Sequence, residues 1–246
     1  MTRLFVKLVW VEAKLLAREP ILLVFTFVFP IVVMVVLFGV FGSQPTAEFR
    51  FARPIDYYQA SYLAVVIAAL GLVALPVHVA TYREQGVLRR FRASSVPASG
   101  VLGAQLVVTL GLAAVGGLTL VVVGAVVYDA NAPASTLGAV AGFALGALSF
   151  LALGFLIGSL ARTARAAQAI GMLAFFPMWL LSGAGPPPDV LSDGMRQASD
   201  LLPLTYAVLA IQDPWLGHPT STSAVVVLAA MLVIASAGAV RVTRNV

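Results

Sequence analysis

Six apolar stretches, near residues 21–41, 60–80, 101–127, 136–160, 168–184 and 222–240, contain no Asp, Glu, Lys or Arg. Each is close to the roughly 20 residues that carry an α-helix across a bilayer. One charge at the centre of a spanning helix costs roughly 2.5–3.5 kcal/mol on insertion scales. Six uncharged stretches of this length therefore point to an all-α integral membrane protein with six transmembrane helices. Composition agrees: 61% of the residues are apolar and 10% charged, against roughly 25% charged in soluble domains.

The loops between these stretches set the orientation, because basic residues are retained on the cytoplasmic side. Twelve of the fifteen basic residues fall on one side: Arg3, Lys7, Lys14, Arg18, Arg83, Arg89, Arg90, Arg92, Arg162, Arg165, Arg241 and Arg244. That side is expected to be cytoplasmic, with both termini inside and the chain multi-pass in the inner (plasma) membrane. The net charge of +5 follows from this topology. It gives no basic stripe with interleaved stacking aromatics, so nucleic-acid binding is not expected. The first apolar run is too long for a signal-peptide core and lacks a small-residue cleavage site, so it reads as a retained span.

Several chemistries are excluded on the same evidence. No carboxylate lies inside a span to relay protons, and His78 sits at a span end beside the basic loop, where an interfacial role is expected. Cysteine is absent, and His78 and His218 stand alone without metal-ligand spacing. The only lysines are Lys7 and Lys14, with no glycine before Gly39, so no phosphate-binding Gly-rich loop ending in lysine exists. Nothing places a nucleophile beside either histidine. No catalytic site, metal or cofactor is expected on this chain, and a pump built from it would draw its energy from another chain.

The chain reads as a single transmembrane domain over residues 1–246, with accessory elements between the spans. Residues 1–19 are expected to include an interfacial helix, since Arg3, Lys7, Lys14 and Arg18 stack on one stripe while Glu12 and Glu19 lie roughly opposite. Pro20 ends it. Pro30 falls inside the first span, where local rearrangement must satisfy the freed carbonyl. Residues 42–59 form an outer loop, and Tyr58 and Tyr62 read as belt tyrosines at the start of the second span. Gly138, Gly142, Gly146, Gly154 and Gly158 share a four-residue repeat on the fourth span, which suits close helix packing, within the subunit or across a dimer. The segment 186–211, opened by Pro186 to Pro188, reads as an outer hairpin of two short helices, interfacial or re-entrant.

The basic loop TYREQGVLRRFRASSVP, residues 81–97, carries one acid among four arginines. A helix over 83–95 would place Val87, Leu88 and Phe91 on one face with Arg89 and Arg92 on another. Such an apolar ridge flanked by charge, with Arg83 and Glu84 at its start, is what docking into a soluble partner needs. Adhesion to anionic lipid, at about 1 kcal/mol per basic residue, explains the arginines but not Glu84.

Three segments in order, TYREQGVLRRFRASSVPAS, IGSLARTARAAQAIGMLAFFPMWLLSG and DLLPLTYAVLAIQD, resemble the type-2 permease subunits of ABC exporters, including the daunorubicin and doxorubicin resistance permeases. The resemblance covers nearly the whole chain. It departs at Val87, Leu88 and Arg89, where the family commonly has Thr and often Glu after the loop glycine, and in the proline-rich run 186–188. It implies a homodimer or heterodimer of permeases carrying two ABC ATPase subunits, with ATP and Mg bound on those partners and residues 83–95 acting as a coupling helix. It also implies hydrophobic substrates, such as drugs, lipids or polyketides, moving between two permeases along the first, second and fifth spans.

On those spans Phe25 and Phe29, four apart, and Phe176 and Trp179, three apart, are the pathway candidates, with ordinary helix packing as the competing role. Met172 and Met178 would suit an adaptable apolar site. Alternatives to a small-molecule exporter are a polysaccharide or glycolipid exporter of the same architecture, and a membrane assembly or anchoring protein that transports nothing. A proton-coupled antiporter is disfavoured by the missing intramembrane carboxylates.

Overall fold

The computed structural model describes residues 2–42, 44–86 and 98–244. Among them every regular element is helical. Helix α1 (Thr2–Leu16) precedes a first span made of α2 (Pro20–Leu23), a π-helical segment (Val24–Val28) and α3 (Phe29–Phe41). The second span joins α4 (Pro54–Ala68), a second π-helical segment (Ala69–Ala74) and α5 (Leu75–Glu84). Then follow α6 (Ala98–Tyr128), α7 (Thr136–Leu160) and α8 (Ala164–Leu181) as spans three to five. Two shorter helices, α9 (Asp193–Ser199) and α10 (Pro203–Trp215), precede the sixth span, α11 (Thr222–Arg244).

The second span is the axis of the molecule. Its most apolar window is 83% buried, against 39% or less in each other span. α4 packs on α3, α6, α7 and α10, and α5 packs on α7 and α8. This central position explains two departures from the sequence-based expectation. The span starts at Pro54 rather than near residue 60, and Tyr58 and Tyr62 are fully buried instead of lying in a belt. With Tyr57, Phe49 and Phe41 they form a continuous set of edge-to-face and tilted ring contacts at centroid distances of 5.1–6.3 Å.

Both π-helical segments are followed by a proline two residues into the next helix, Pro30 and Pro76. A proline gives no N–H to the carbonyl four residues before it and its ring crowds that carbonyl, which bends or loosens a helix. The carbonyls at that offset are those of Thr26 and Leu72. Each approaches a glycine of a neighbouring span. A Cβ on Gly116 would sit 3.3 Å from the Thr26 oxygen, and one on Gly171 would collide with the Leu72 oxygen.

The glycine repeat of the fourth span is used inside the subunit. A Cβ on Gly142 would collide with the Ala210 carbonyl, one on Gly154 with the Gly71 carbonyl, and one on Gly158 would come within 2.7 Å of the Pro76 carbonyl. The fourth span matches its expected limits, with Ser135 as N-cap accepting the Gly138 N–H at 3.2 Å. The fifth begins at Ala164, four residues earlier than expected, because Thr163 caps it by accepting the Ala166 N–H at 3.2 Å.

Of these two shorter helices, α10 lies inside protein. It packs on α4, α7 and α11, and Leu204, Ala207, Ala210 and Ile211 are fully buried. Its Gln212 and Asp213 are buried as well, and both find partners. Arg50 Nη1 lies 2.8 Å from Asp213 Oδ1 and 3.0 Å from Gln212 Oε1, while Gln212 Nε2 donates to Ser61 Oγ at 3.0 Å. A second ion pair, Arg53 with Asp56, is extended by Asn131, whose backbone N–H and side-chain amide both donate to the Asp56 carboxylate at 2.7 and 2.8 Å. Together these pairs fasten the outer loops to the central span.

Candidate functional site

At the C-terminal end of the second span three consecutive side chains each hold a different element. The Tyr82 hydroxyl donates to Glu12 Oε1 of α1 at 2.7 Å. Arg83 Nη1 donates to the Ala161 carbonyl, just past the end of the fourth span, at 3.5 Å. Glu84 Oε2 accepts the backbone N–H of Ala164, the first residue of the fifth span, at 2.9 Å.

Sequence chemistry makes this junction possible. A helix N-terminus presents unpaired N–H groups and partial positive charge, so a carboxylate there is favourable. Thr163 satisfies one N–H and Glu84 another. α5 then stops in a turn at Gln85 and Gly86, and Gly86 has φ +66°, which suits glycine. α1 packs along the third span, with Trp10 and Val11 exposed and Glu12 buried at 5% exposure. Burial pushes the Glu12 carboxyl above the usual carboxylate range, and the Tyr82 hydroxyl bond opposes that rise.

Arg83 and Glu84 therefore belong to the last turn of the second-span helix. Val87, Leu88, Arg89, Phe91 and Arg92 lie outside the described residues. The acid that the loop chemistry left unexplained has a partner within the chain.

The four aromatic residues singled out on the first and fifth spans do come together. Phe25 stacks on Phe29 at 5.4 Å between centroids, Phe29 meets Trp179 edge-on at 5.5 Å, and Phe176 meets Trp179 at 6.4 Å. Phe175, which nothing in the sequence distinguished from its neighbour, sits at the centre of the group. It touches Phe25, Phe29 and Phe176 at 6.0, 6.2 and 5.6 Å. Trp179 Nε1 donates to the Tyr62 hydroxyl at 3.1 Å, which links the cluster to the central span. Phe175 is fully buried and Phe176 is 44% exposed, so the cluster has a packed side and an open side.

Beside this cluster lies a cleft of about 250 Å³ between the first, second and fifth spans. Phe25 forms part of its wall, with Thr26, His78, Thr81 and Gln168, and Glu19 lies at its edge. Two wider grooves, about 530 and 410 Å³, run along the third span and are lined almost wholly by apolar side chains such as Leu106, Leu110 and Phe155, or Leu118 and Phe143. Their chemistry suits lipid acyl chains. Among the described residues no group of His, Asp and Glu is placed to hold a metal ion.

The model of the ABC-2 type transporter family matches residues 3–214, from α1 through nearly all of α10. The chain belongs to the ABC-2 type transporter family. No curated protein matches its sequence. An ABC-2 protein is the membrane component of a transporter, so this one is a multi-pass permease subunit. The junction at Tyr82–Glu84, the aromatic cluster and the cleft are thus features of an ABC-2 permease.

Proposed function

We propose that this ABC-2 permease is the membrane subunit of an ATP-driven exporter of hydrophobic small molecules, of the kind the daunorubicin and doxorubicin resistance permeases represent. Two ABC ATPase subunits bind ATP and Mg on the cytoplasmic side, and a second permease, identical or related, completes the membrane pore. Both termini face the cytoplasm of the inner membrane.

The observation that carries this reading is the junction at the end of the second span. A partner that displaces the chain just beyond Gly86 pulls on Tyr82, Arg83 and Glu84. Those three residues are bonded to α1, to the end of the fourth span and to the start of the fifth. One displacement is passed to three elements. The fifth span then moves Phe175, Phe176 and Trp179 against Phe25 and Phe29, which changes the opening between the first and fifth spans.

A second permease fits against the exposed face of those two spans. Val24, Val28, Val32, Val36 and Val40 form an exposed stripe at four-residue spacing on the first span, and Leu173, Phe176 and Leu180 are exposed on the fifth. Substrate moving between two such faces meets aromatic and aliphatic surface and no charge, which suits lipophilic cargo.

The test is co-expression with an ABC ATPase, purification of the complex, and ATP-dependent accumulation of a lipophilic dye in inside-out vesicles. Accumulation that requires both chains supports the reading. An intact complex that hydrolyses ATP but moves no lipophilic compound contradicts it.

A further inference from the structure

We infer that the inner cleft binds the charged head of an amphiphilic organic cation, with Glu19 as its counter-charge. The geometry starts from the two π-helical segments, which face each other across the cleft: Phe25 and Thr26 come from one, Ala69, Val73 and Ala74 from the other. π-helical insertions widen a helix and recur at functional sites. Here two occur side by side, and the space they leave is the cleft.

Its chemistry selects a cation. Glu19 is the one charged side chain of the lining, and it makes no ion pair among the described residues. Most charges in the neighbouring loops are arginine and lysine, so Glu19, which faces His78 across the same lining, is the source of negative charge in the cleft. Deeper in, the Thr26 hydroxyl is buried, with the residue 1% exposed, and has no hydrogen-bond partner. An unpaired buried hydroxyl costs free energy that a donor from a bound molecule recovers. Gln168 adds an amide oxygen, and Phe25 offers an aromatic wall to the same head.

Size limits what enters. About 250 Å³ is below the roughly 300–1,000 Å³ of sites that enclose a drug-sized molecule. The cleft takes an ammonium and about one ring, and the remaining apolar body lies in the membrane beside Phe25. Its position, on the cytoplasmic side of the Phe25–Phe175 cluster, makes it an entry site ahead of that cluster. The entry role rests on the exporter reading above, but binding at the cleft does not.

The experiment therefore uses the chain alone in nanodiscs of neutral phosphatidylcholine, with empty nanodiscs subtracted. Radiolabelled 4-phenylbutylammonium and the uncharged 4-phenylbutanol are the probes. Saturable ammonium binding is expected, at about one per chain and tighter than that of the alcohol. Glu19→Gln should weaken it by up to about fivefold, the upper end of the scale of an exposed charge pair, and Glu48→Gln on the outer side should not. Thr26→Val, which removes no internal hydrogen bond, should fold normally and also weaken the ammonium. Unsaturable uptake, equal binding of the alcohol, or Glu19→Gln and Thr26→Val proteins that bind like the wild type would overturn the proposal. Failure of the exporter reading would look different: saturable ammonium binding intact, and no ATP-dependent transport by the assembled complex.

Discussion

The Glu84 carboxylate accepts the backbone N–H of Ala164 at 2.9 Å, so the last residue of the second-span helix holds the first residue of the fifth. Removing that acceptor leaves the N–H to water and takes a negative charge from the positive end of a helix. Glu84→Ala should lower thermal stability in detergent by roughly 0.5–1 kcal/mol. Glu84→Gln, which keeps an acceptor oxygen and loses only the charge, should cost about half as much.

The Tyr82–Glu12 bond predicts a pH dependence. Glu12 titrates above its ordinary value of 4.5 in the folded protein because it is buried. The folded state then binds the proton more tightly than the unfolded chain, so stability from this residue is fully present below pH 4.5 and is lost as pH rises through the folded value. Tyr82→Phe removes the bond that favours the carboxylate, raises the folded value further and should steepen the loss, at a cost of about 1–3 kcal/mol near neutral pH. Glu12→Gln should flatten the profile. Melting curves of the three proteins between pH 4 and pH 8 check this.

Glycines with and without close neighbours should behave oppositely. A Cβ at Gly171 would collide with the Leu72 backbone oxygen, which cannot be moved aside like a side chain. Gly171→Ala should therefore destabilise by about 1–3 kcal/mol or more. Gly111 has nothing within 4 Å of an added Cβ, and Gly111→Ala should gain up to about 1 kcal/mol from helix propensity. Thermal midpoints of the two variants, compared in one detergent, decide it.

On the outer side, Asp213 is 3% exposed and depends on Arg50 for its counter-charge. Arg50→Ala should cost about 2 kcal/mol, less than a fully buried pair because Arg50 is itself partly exposed. Adding Asp213→Asn should recover more than half of that loss. A double-mutant cycle on melting temperature measures the coupling.

Much of this fold was legible in hydropathy, because each span must be uncharged along its length to sit in lipid. The fourth span, expected near 136–160 from hydropathy, is the helix Thr136–Leu160. The start of the second span was not. Asp56, Tyr57, Tyr58 and Gln59 read as loop or belt residues, and they are helical and buried because Arg53 pairs with Asp56, the rings of Phe41 and Phe49 pack on the tyrosines, and Asn131 reaches Asp56 from 75 residues further along the chain. The aromatic candidates were visible as i,i+4 and i,i+3 pairs, yet Phe175 was hidden because only the packing of the fifth span on the first distinguishes it from Phe176. Glu84 stood out as a lone acid among arginines. Its partner could not be read, since a backbone N–H eighty residues away leaves no mark in composition.

The central claim is that motion at the end of the second span reaches the fifth through Glu84. Glu84→Arg tests it most directly, by placing a positive charge against the positive end of that helix while leaving the insertion signal intact. With the complex purified at wild-type yield, ATP hydrolysis and ATP-dependent dye accumulation are measured in the same vesicles. If Glu84 carries the motion, hydrolysis continues and accumulation is lost. Accumulation equal to wild type in an intact complex would contradict it.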